Sequence, residues 1–292
     1  MIQNDYELEN FKIHLNTILK KDLFRTREKV MKSCPKCGCT KYMKYGFYNG
    51  IQRYKCKNEI CGKTFSLGTN SIWSYSKKCA DKWIEFIELM LERRTLKYCA
   101  EKLNININTA FFWRHKVLHA LTFNSIPNSL FGDVHITKSG VKENFKGARN
   151  ITRTQREDII IVSAKGEKDS LLSLPVSKKI WNEKDFNEKI YSRIKKDSYI
   201  IPYADRYIFA IAKRHNNDSR KLIKNEVEII KNYRLISKAW FRCFRGIATK
   251  YLIEYLCWFI IEHREKTFNS LECLYDFMNE CNFIKISKIR EV

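Results

Sequence analysis

Residues 33–65 read SCPKCGCTKYMKYGFYNGIQRYKCKNEICGKTF, and five of the chain's eleven cysteines fall within them. Cys34 and Cys37 form a C-P-K-C-G turn, and Cys56 and Cys61 close a second turn that also ends in glycine. Two tight turns that each offer two thiolates are what tetrahedral zinc requires, and Gly38 and Gly62 let backbone amides approach the sulfurs. The second pair is spaced C-x4-C rather than C-x2-C, and Cys39 is a spare that an alternative ligand set could use. Between the knuckles, aromatic and basic residues alternate around Tyr48-Asn49-Gly50, the signature of a hairpin joining them. The pattern predicts a zinc ribbon over 33–70, with Zn2+ on Cys34, Cys37, Cys56 and Cys61. So small a module buries little surface, so the metal is expected to supply most of its folding energy, on the order of 10 kcal/mol.

Outward from the ribbon, the chain is strongly basic. Its 292 residues carry 55 Lys and Arg against 32 Asp and Glu, a formal charge of +23. The excess is even along the chain, 23 basic against 11 acidic residues up to Ser125 and 32 against 21 after it. Such a field attracts a polyanion, so double-stranded DNA is the expected partner, although a Lys-, Asn- and Ile-rich composition raises charge without any DNA role. No run of about 18 apolar residues exists, so no membrane span is expected. The first residues lack the basic-then-apolar order of a signal peptide. The expected location is cytoplasmic or nucleoid-associated, or nuclear in a eukaryotic host. Thiols are kept reduced there, so Cys79, Cys99, Cys243, Cys257, Cys273 and Cys281 read as small buried apolar residues.

Residues 79–94 repeat apolar residues at helical spacing (Trp83, Phe86, Ile87, Met90, Leu91), which predicts an amphipathic helix. Next come a short helix at 95–103, a turn over Asn104–Asn106, and a second helix to about Leu121, capped by Asn106 or Asn108. Small Ala100 is placed where two helices would cross, and Ile105 and Ile107 would plug the turn. The grammar over 71–124 is helix-turn-helix. Its second helix would offer Asn108, Thr109, Phe112, Arg114, His115 and Lys116 to the major groove, while Lys44 and Arg53 of the ribbon meet phosphates. His115 and His119 are four apart, but with no H-E-x-x-H they read as groove or core residues.

Residues 1–32 read as an N-terminal helical segment, 125–131 as a linker and 266–292 as a helical tail. Between linker and tail the pattern changes. FGDVHIT and EDIIIVSAKGEKDSLLSLPV read as strands, the latter a hairpin; a helix is expected at about 183–195, a strand at SYIIPY, and helices across DRYIFAIAKRHN and ATKYLIEYLCWFIIEHR. The expected class is multi-domain α/β, with a mixed sheet flanked by helices in 132–265.

Four stretches, CPKCG…RYKCKNEICGKTFS…GTNSIW, TAFFWRHKVLHAL, NFKGARN and FRGIATKYLIEYLCWF, together resemble the zinc-ribbon DDE-type transposases of bacterial insertion sequences related to the eukaryotic Merlin superfamily. The resemblance spans about residues 33–262. It implies an RNase H-like second domain in which three polar or acidic residues hold two divalent metals that cut and rejoin DNA at terminal inverted repeats. Two Mg2+ ions about 4 Å apart need several hard anionic ligands. The family's V-E-x-D-E strand, set by NFKG, falls on Val134, His135, Ile136, Thr137 and Lys138, with Thr137 in the aspartate slot. The S/T-D-G slot, set by IAK at 211–213, falls on Tyr203. The third slot, set by KAW, falls on Lys231 or Asn232. Asp133, His135, Asp205, Glu226 and Glu228 remain as members of a displaced site, and Asp133, His135 and Thr137 would share a strand face.

Three functions are consistent with these residues. The first is a DNA-binding relative of such transposases, single or homo-oligomeric, whose strand-transfer chemistry is lost. The second is an active transposase using Mg2+ at a displaced acidic site. The third is a basic structural protein that serves RNA or protein assembly.

Overall fold

A computed structural model describes residues 32–48, 51–66, 68–76, 78, 80–123, 125–145, 156–168, 170–203, 205–216, 224–244, 246–263 and 284–291. The chain divides into two compact units, one reaching from the N-terminal side to Ala120 together with 268–291, the other running from Leu121 to Thr267. Among the described residues, no helix is long and apolar enough to cross a membrane.

The first unit begins with a three-stranded antiparallel sheet of β1 (Tyr42–Tyr48), β2 (Ile51–Cys56) and β3 (Thr64–Ser66), in that order. β1 and β2 form the hairpin expected around Tyr48, with Tyr42 opposite Cys56 and Tyr48 opposite Ile51. Helix α1 (Ala80–Leu91) buries Trp83, Phe86, Ile87 and Met90, the stripe that its spacing predicts. Helix α2 (Leu96–Leu103) starts on Thr95, whose hydroxyl accepts from the Tyr98 N–H (3.2 Å). It ends where Asn104 turns left-handed at φ 49°, so the chain reverses tightly before the next helix. Helix α3 (Ile107–Thr122) is capped by Asn106, whose Oδ1 accepts from the Asn108 N–H (2.8 Å), settling the choice between two asparagines. Ala100 is buried as expected of a close helix approach, but Ile107 is largely exposed and does not plug the turn.

In the second unit the strands β4 (Asp133–Lys142), β5 (Asp158–Lys165), β6 (Leu171–Lys178) and β7 (Tyr199–Tyr203) form one mixed sheet in the order β6-β5-β4-β7. β4, β5 and β6 are antiparallel neighbours, and β7 runs parallel to β4. Central β5 is buried over Ile159–Ala164 because both of its faces are covered. Edge strand β6 carries Pro175 beside a register shift, a position where a missing N–H is tolerated. One face packs Val134, Ile136, Val162, Leu172 and Ile200 against Phe186 of α4 (Glu183–Lys189) and Ile208 and Ile211 of α5 (Arg206–Asn216). The other packs Ile159 and Ile161 against Phe241 of α6 (Lys224–Arg242) and Leu252 and Leu256 of α7 (Leu252–Glu262). Trp240 joins those two helices, meeting Phe244 at a tilt and Tyr255 and Trp258 edge-on, and donating its indole N–H to Glu262 (2.6 Å).

Helix α6 has no counterpart in the sequence reading. Among its described side chains the buried ones are Tyr233, Ser237 and Trp240, so a serine interrupts the apolar stripe that periodicity looks for. The helix expected at 183–195 is shorter and passes into a 3-10 turn at Tyr191–Arg193. Residues 125–131 are not a free linker: Leu130 is fully buried in this core, and its N–H donates to the Arg193 carbonyl (2.7 Å). The segment expected to be helical over 1–32 lies almost wholly outside the described residues. Of the expected tail over 266–292, only 284–291 is described, with helix α8 at Ile286–Glu291.

Candidate metal centre and nucleic-acid interface

The two knuckles are built by backbone hydrogen bonds. The Cys34 N–H donates to the Cys39 carbonyl (2.8 Å) and the Gly38 N–H to the Cys34 carbonyl (2.9 Å), with Gly38 at φ 73°. In the second knuckle the two extra residues form their own small turn. Asn58 organises it: its carbonyl accepts from Cys61 (3.0 Å) and Gly62 (2.8 Å), its Oδ1 accepts from Ile60 (3.0 Å), and its N–H points at Cys56 Sγ (3.4 Å). The C-x4-C spacing therefore delivers Cys61 to the same centre that a shorter knuckle would.

The sulfurs of Cys34, Cys37, Cys56 and Cys61 all lie within 4.8 Å of one another. Cys34 and Cys61 are 3.9 Å apart, and Cys37 and Cys56 3.6 Å. Zinc at about 2.3 Å from four sulfurs sets them about 3.8 Å apart, so the donor set fits one such ion. Cys39 turns its sulfur to the Lys41 carbonyl (3.6 Å), outside the set. Burial opposes ionisation of Cys34, yet the N–H groups of Cys37 and Lys36 and the neighbouring thiols outweigh it, bringing the group down to about 7. Cys56 is pushed up to about 12, first by burial and then by Cys37, Cys34 and Cys61 around it. One thiolate forms readily and the next ones resist, a conflict that a central divalent cation removes.

Among the described residues, these four cysteines are the one group of three or more His, Cys, Asp or Glu side chains close enough to share a metal ion. The described cysteines are all free thiols. Cys99 and Cys257 are buried as small apolar residues, whereas Cys243 is exposed, contrary to expectation; Cys79, Cys273 and Cys281 lie outside the described residues.

Of the groove-facing set read from the sequence, Asn108 is exposed and Thr109 and Phe112 are half-buried at the start of α3. Arg114, His115 and Lys116 are different: all three are buried. Arg114 Nη2 donates to the Arg94 carbonyl (2.6 Å), Lys116 Nζ donates to the Ser74 carbonyl (3.0 Å), and the His115 ring packs 4.5 Å from that of Phe111. Arg114 and Lys116 hold loop carbonyls, and His115 packs inside, instead of presenting donors to a groove. The signal was in the sequence, since Trp113, Val117, Leu118 and Leu121 interleave them and leave no polar stripe. The exposed surface here is Lys97, Tyr98 and Lys102 of α2 with Asn104, Asn106 and Asn108. In the ribbon, Lys44 is exposed and Arg53 half-buried.

The slots of the second unit lie as follows. Thr137 and Tyr203 are cross-strand partners where β4 and β7 run parallel. Thr137 is buried, and its hydroxyl oxygen has no hydrogen-bond partner among the described residues. Lys231 and Asn232 are exposed on α6, which packs against β4 and β7. Asp133 and His135 share the strand face of Thr137, as alternation requires. Lys138 points to the opposite face, where its ammonium pairs with the Asp205 carboxylate and lies 5.7 Å from the Trp181 ring and 5.6 Å from that of Tyr207. Asp205 is also the cap of α5, its Oδ1 accepting from Tyr207 (3.0 Å) and Ile208 (3.3 Å). The structure thus separates the displaced candidates, with Asp205 on one face and Asp133 on the other. The side chains of Glu226 and Glu228 are not among the described ones. The sequence reading saw Lys138 and Asp205 but not that they are partners, because 66 residues of intervening chain hide the pairing.

No family model matches the chain, and no solved structure matches it. Over 115 residues it is 27% identical to a Halobacterium salinarum protein described as an uncharacterized protein in transposable element ISH50. The matched stretch is 39% of this chain and 38% of that relative.

Proposed function

We propose that the chain is a DNA-binding protein related to insertion-sequence transposases, with the strand-transfer chemistry lost. It recognises double-stranded DNA, such as terminal inverted repeats, through a zinc ribbon and a helix-turn-helix. The likeness to an insertion-element protein supports the transposase relation, and the +23 charge supports a polyanionic partner. The structural zinc is held by Cys34, Cys37, Cys56 and Cys61. The helix-turn-helix face consists of Asn106 and Asn108 with Lys97 and Lys102. The mixed sheet with helices on both faces supports the RNase H-like reading of the second unit.

Loss of chemistry rests on one observation. Where β7 ends beside the middle of β4, and two hard anionic ligands are needed, Thr137 stands beside Tyr203, and the nearby Asp205 is occupied by the Lys138 ammonium and by two N–H groups of α5. A carboxylate already neutralised by an ammonium gives little to a divalent ion, and an ammonium close by repels it. The test uses the full chain, a duplex bearing the repeats that flank its gene, a scrambled duplex, and Mg2+ or Mn2+. Preferential binding of the repeats without 3′-end nicks or joined products is expected. Equal binding of both duplexes would overturn specific recognition, and nicking abolished by Asp133→Ala would overturn the loss of chemistry.

A further inference from the structure

The ribbon sheet has two unlike faces. Tyr42, Tyr54, Cys56 and Phe65 form its small core beside the four cysteines. On the opposite face Met43, Tyr45 and Tyr48 are exposed, Tyr48 at 67%, and nothing among the described residues explains why a 292-residue chain with buried cores elsewhere leaves rings in water there. Strict alternation would pair Tyr45 with Phe47. The register instead shifts between Lys44 and Phe47, with Tyr45 and Gly46 set against Arg53 alone, and Gly46 adopts φ 66°. That bulge turns Phe47 away and brings Tyr48 onto the face of Arg53 and Lys55. The cations are interleaved with the rings: the Arg53 guanidinium lies 5.8 Å and the Lys55 ammonium 5.3 Å from the Tyr45 centroid. A groove of about 410 Å3 opens beside them, lined by Tyr48, Arg53, Thr64, Phe65, Ser66 and Thr69.

We infer that this face binds single-stranded nucleic acid, stacking unpaired bases on Tyr45 and Tyr48 while Arg53 and Lys55 meet the phosphates between them. Duplex DNA keeps its base faces stacked inside and offers exposed rings nothing. A single strand presents a ring face and a negative charge at each nucleotide, the alternation that the sheet carries. Thr64 and Ser66 add hydroxyls at the groove for base edges or phosphate oxygens, and Arg53 is held in place by its bond to Thr64 Oγ1 (2.9 Å). The inference rests on the nucleic-acid partner proposed above but concerns the Tyr45 and Tyr48 face of the ribbon, opposite Lys44 and distinct from the helix-turn-helix residues, so the two are separable.

The experiment measures binding of the full zinc-loaded chain to fluorescent dT20, rU20 and a 20-bp duplex. The variants are Tyr45→Ala with Tyr48→Ala, Tyr45→Phe with Tyr48→Phe, and Asn108→Ala. The double alanine variant, with unchanged zinc content, is expected to lose at least about 10-fold in single-strand affinity and under about 2-fold on duplex. The double phenylalanine variant keeps binding, because stacking needs the ring and not the hydroxyl. Whichever of dT20 and rU20 binds more tightly identifies the strand's sugar. Equal losses on single strand and duplex, or no loss on either, would overturn the inference. Loss of duplex binding in Asn108→Ala with single-strand binding intact supports two separate surfaces. Failure of wild-type protein to bind duplex while it binds dT20 or rU20 would remove the proposed duplex recognition and leave this face standing.

Discussion

Single side chains decide what the helices of the first unit expose at the surface. Arg114 looks like a base-reading residue in the sequence, yet its guanidinium is spent on the Arg94 carbonyl inside the fold. Arg114→Ala is therefore expected to cost about 1.5–3 kcal/mol of stability in chemical denaturation, the range for a hydrogen bond to a charged group. Asn108→Ala is expected to leave stability within about 0.5 kcal/mol and to weaken duplex binding by about 1 kcal/mol or more in a titration. Lys116 makes the sign of burial measurable. Desolvation pushes its ammonium from an ordinary 10.5 down to about 8. The unfolded chain then holds the proton more tightly, so wild-type stability rises with pH between about 8 and 10.5, and the full cost is carried below 8. Lys116→Met has no such group. Its stability difference from wild type is expected to move by about 1–2 kcal/mol in favour of wild type from pH 7 to pH 10.5, with the shift discounted for partial solvation.

At the scale of elements, the two knuckles show how a departure in spacing is absorbed. The C-x4-C pair reaches the same centre as its C-x2-C partner because Asn58 closes an extra turn on Cys61 and Gly62. Cys39, one residue beyond the first glycine, faces the Lys41 carbonyl instead. Elemental analysis of purified protein is expected to give one zinc per chain, unchanged in Cys39→Ser and lost in Cys34→Ser with Cys61→Ser. Zinc at less than half an equivalent in the wild type would count against the site. With the metal gone, the aromatic core of Tyr42, Tyr54 and Phe65 is too small to hold the hairpin alone. Other elements were legible for equally local reasons: the stripe of α1, the Asn106 cap of α3 and the long apolar run of α7 follow from periodicity and capping. Helix α6 was not, since Ser237 sits in its buried stripe and its partners Leu252, Leu256 and Trp258 come from a later helix.

For the whole molecule, charge is the property that both halves share. Duplex affinity is expected to fall linearly with log salt, and Lys44→Ala is expected to lower the magnitude of that slope by about 1 in a salt titration, without changing base preference. The sequence by itself marked the four cysteines that converge, because four thiols in two tight turns need only local backbone geometry to meet. It determined the order of most strands and helices through periodicity, and the sign of the surface field through composition. Only the tertiary structure decided which polar residues are available. It drew Arg114 and Lys116 inward onto loop carbonyls, set Thr137 against Tyr203, and joined Lys138 to Asp205 on the other face of the sheet. Burial and pairing depend on residues far apart in the chain, and a pattern read along one strand or helix carries no record of what will fold against it.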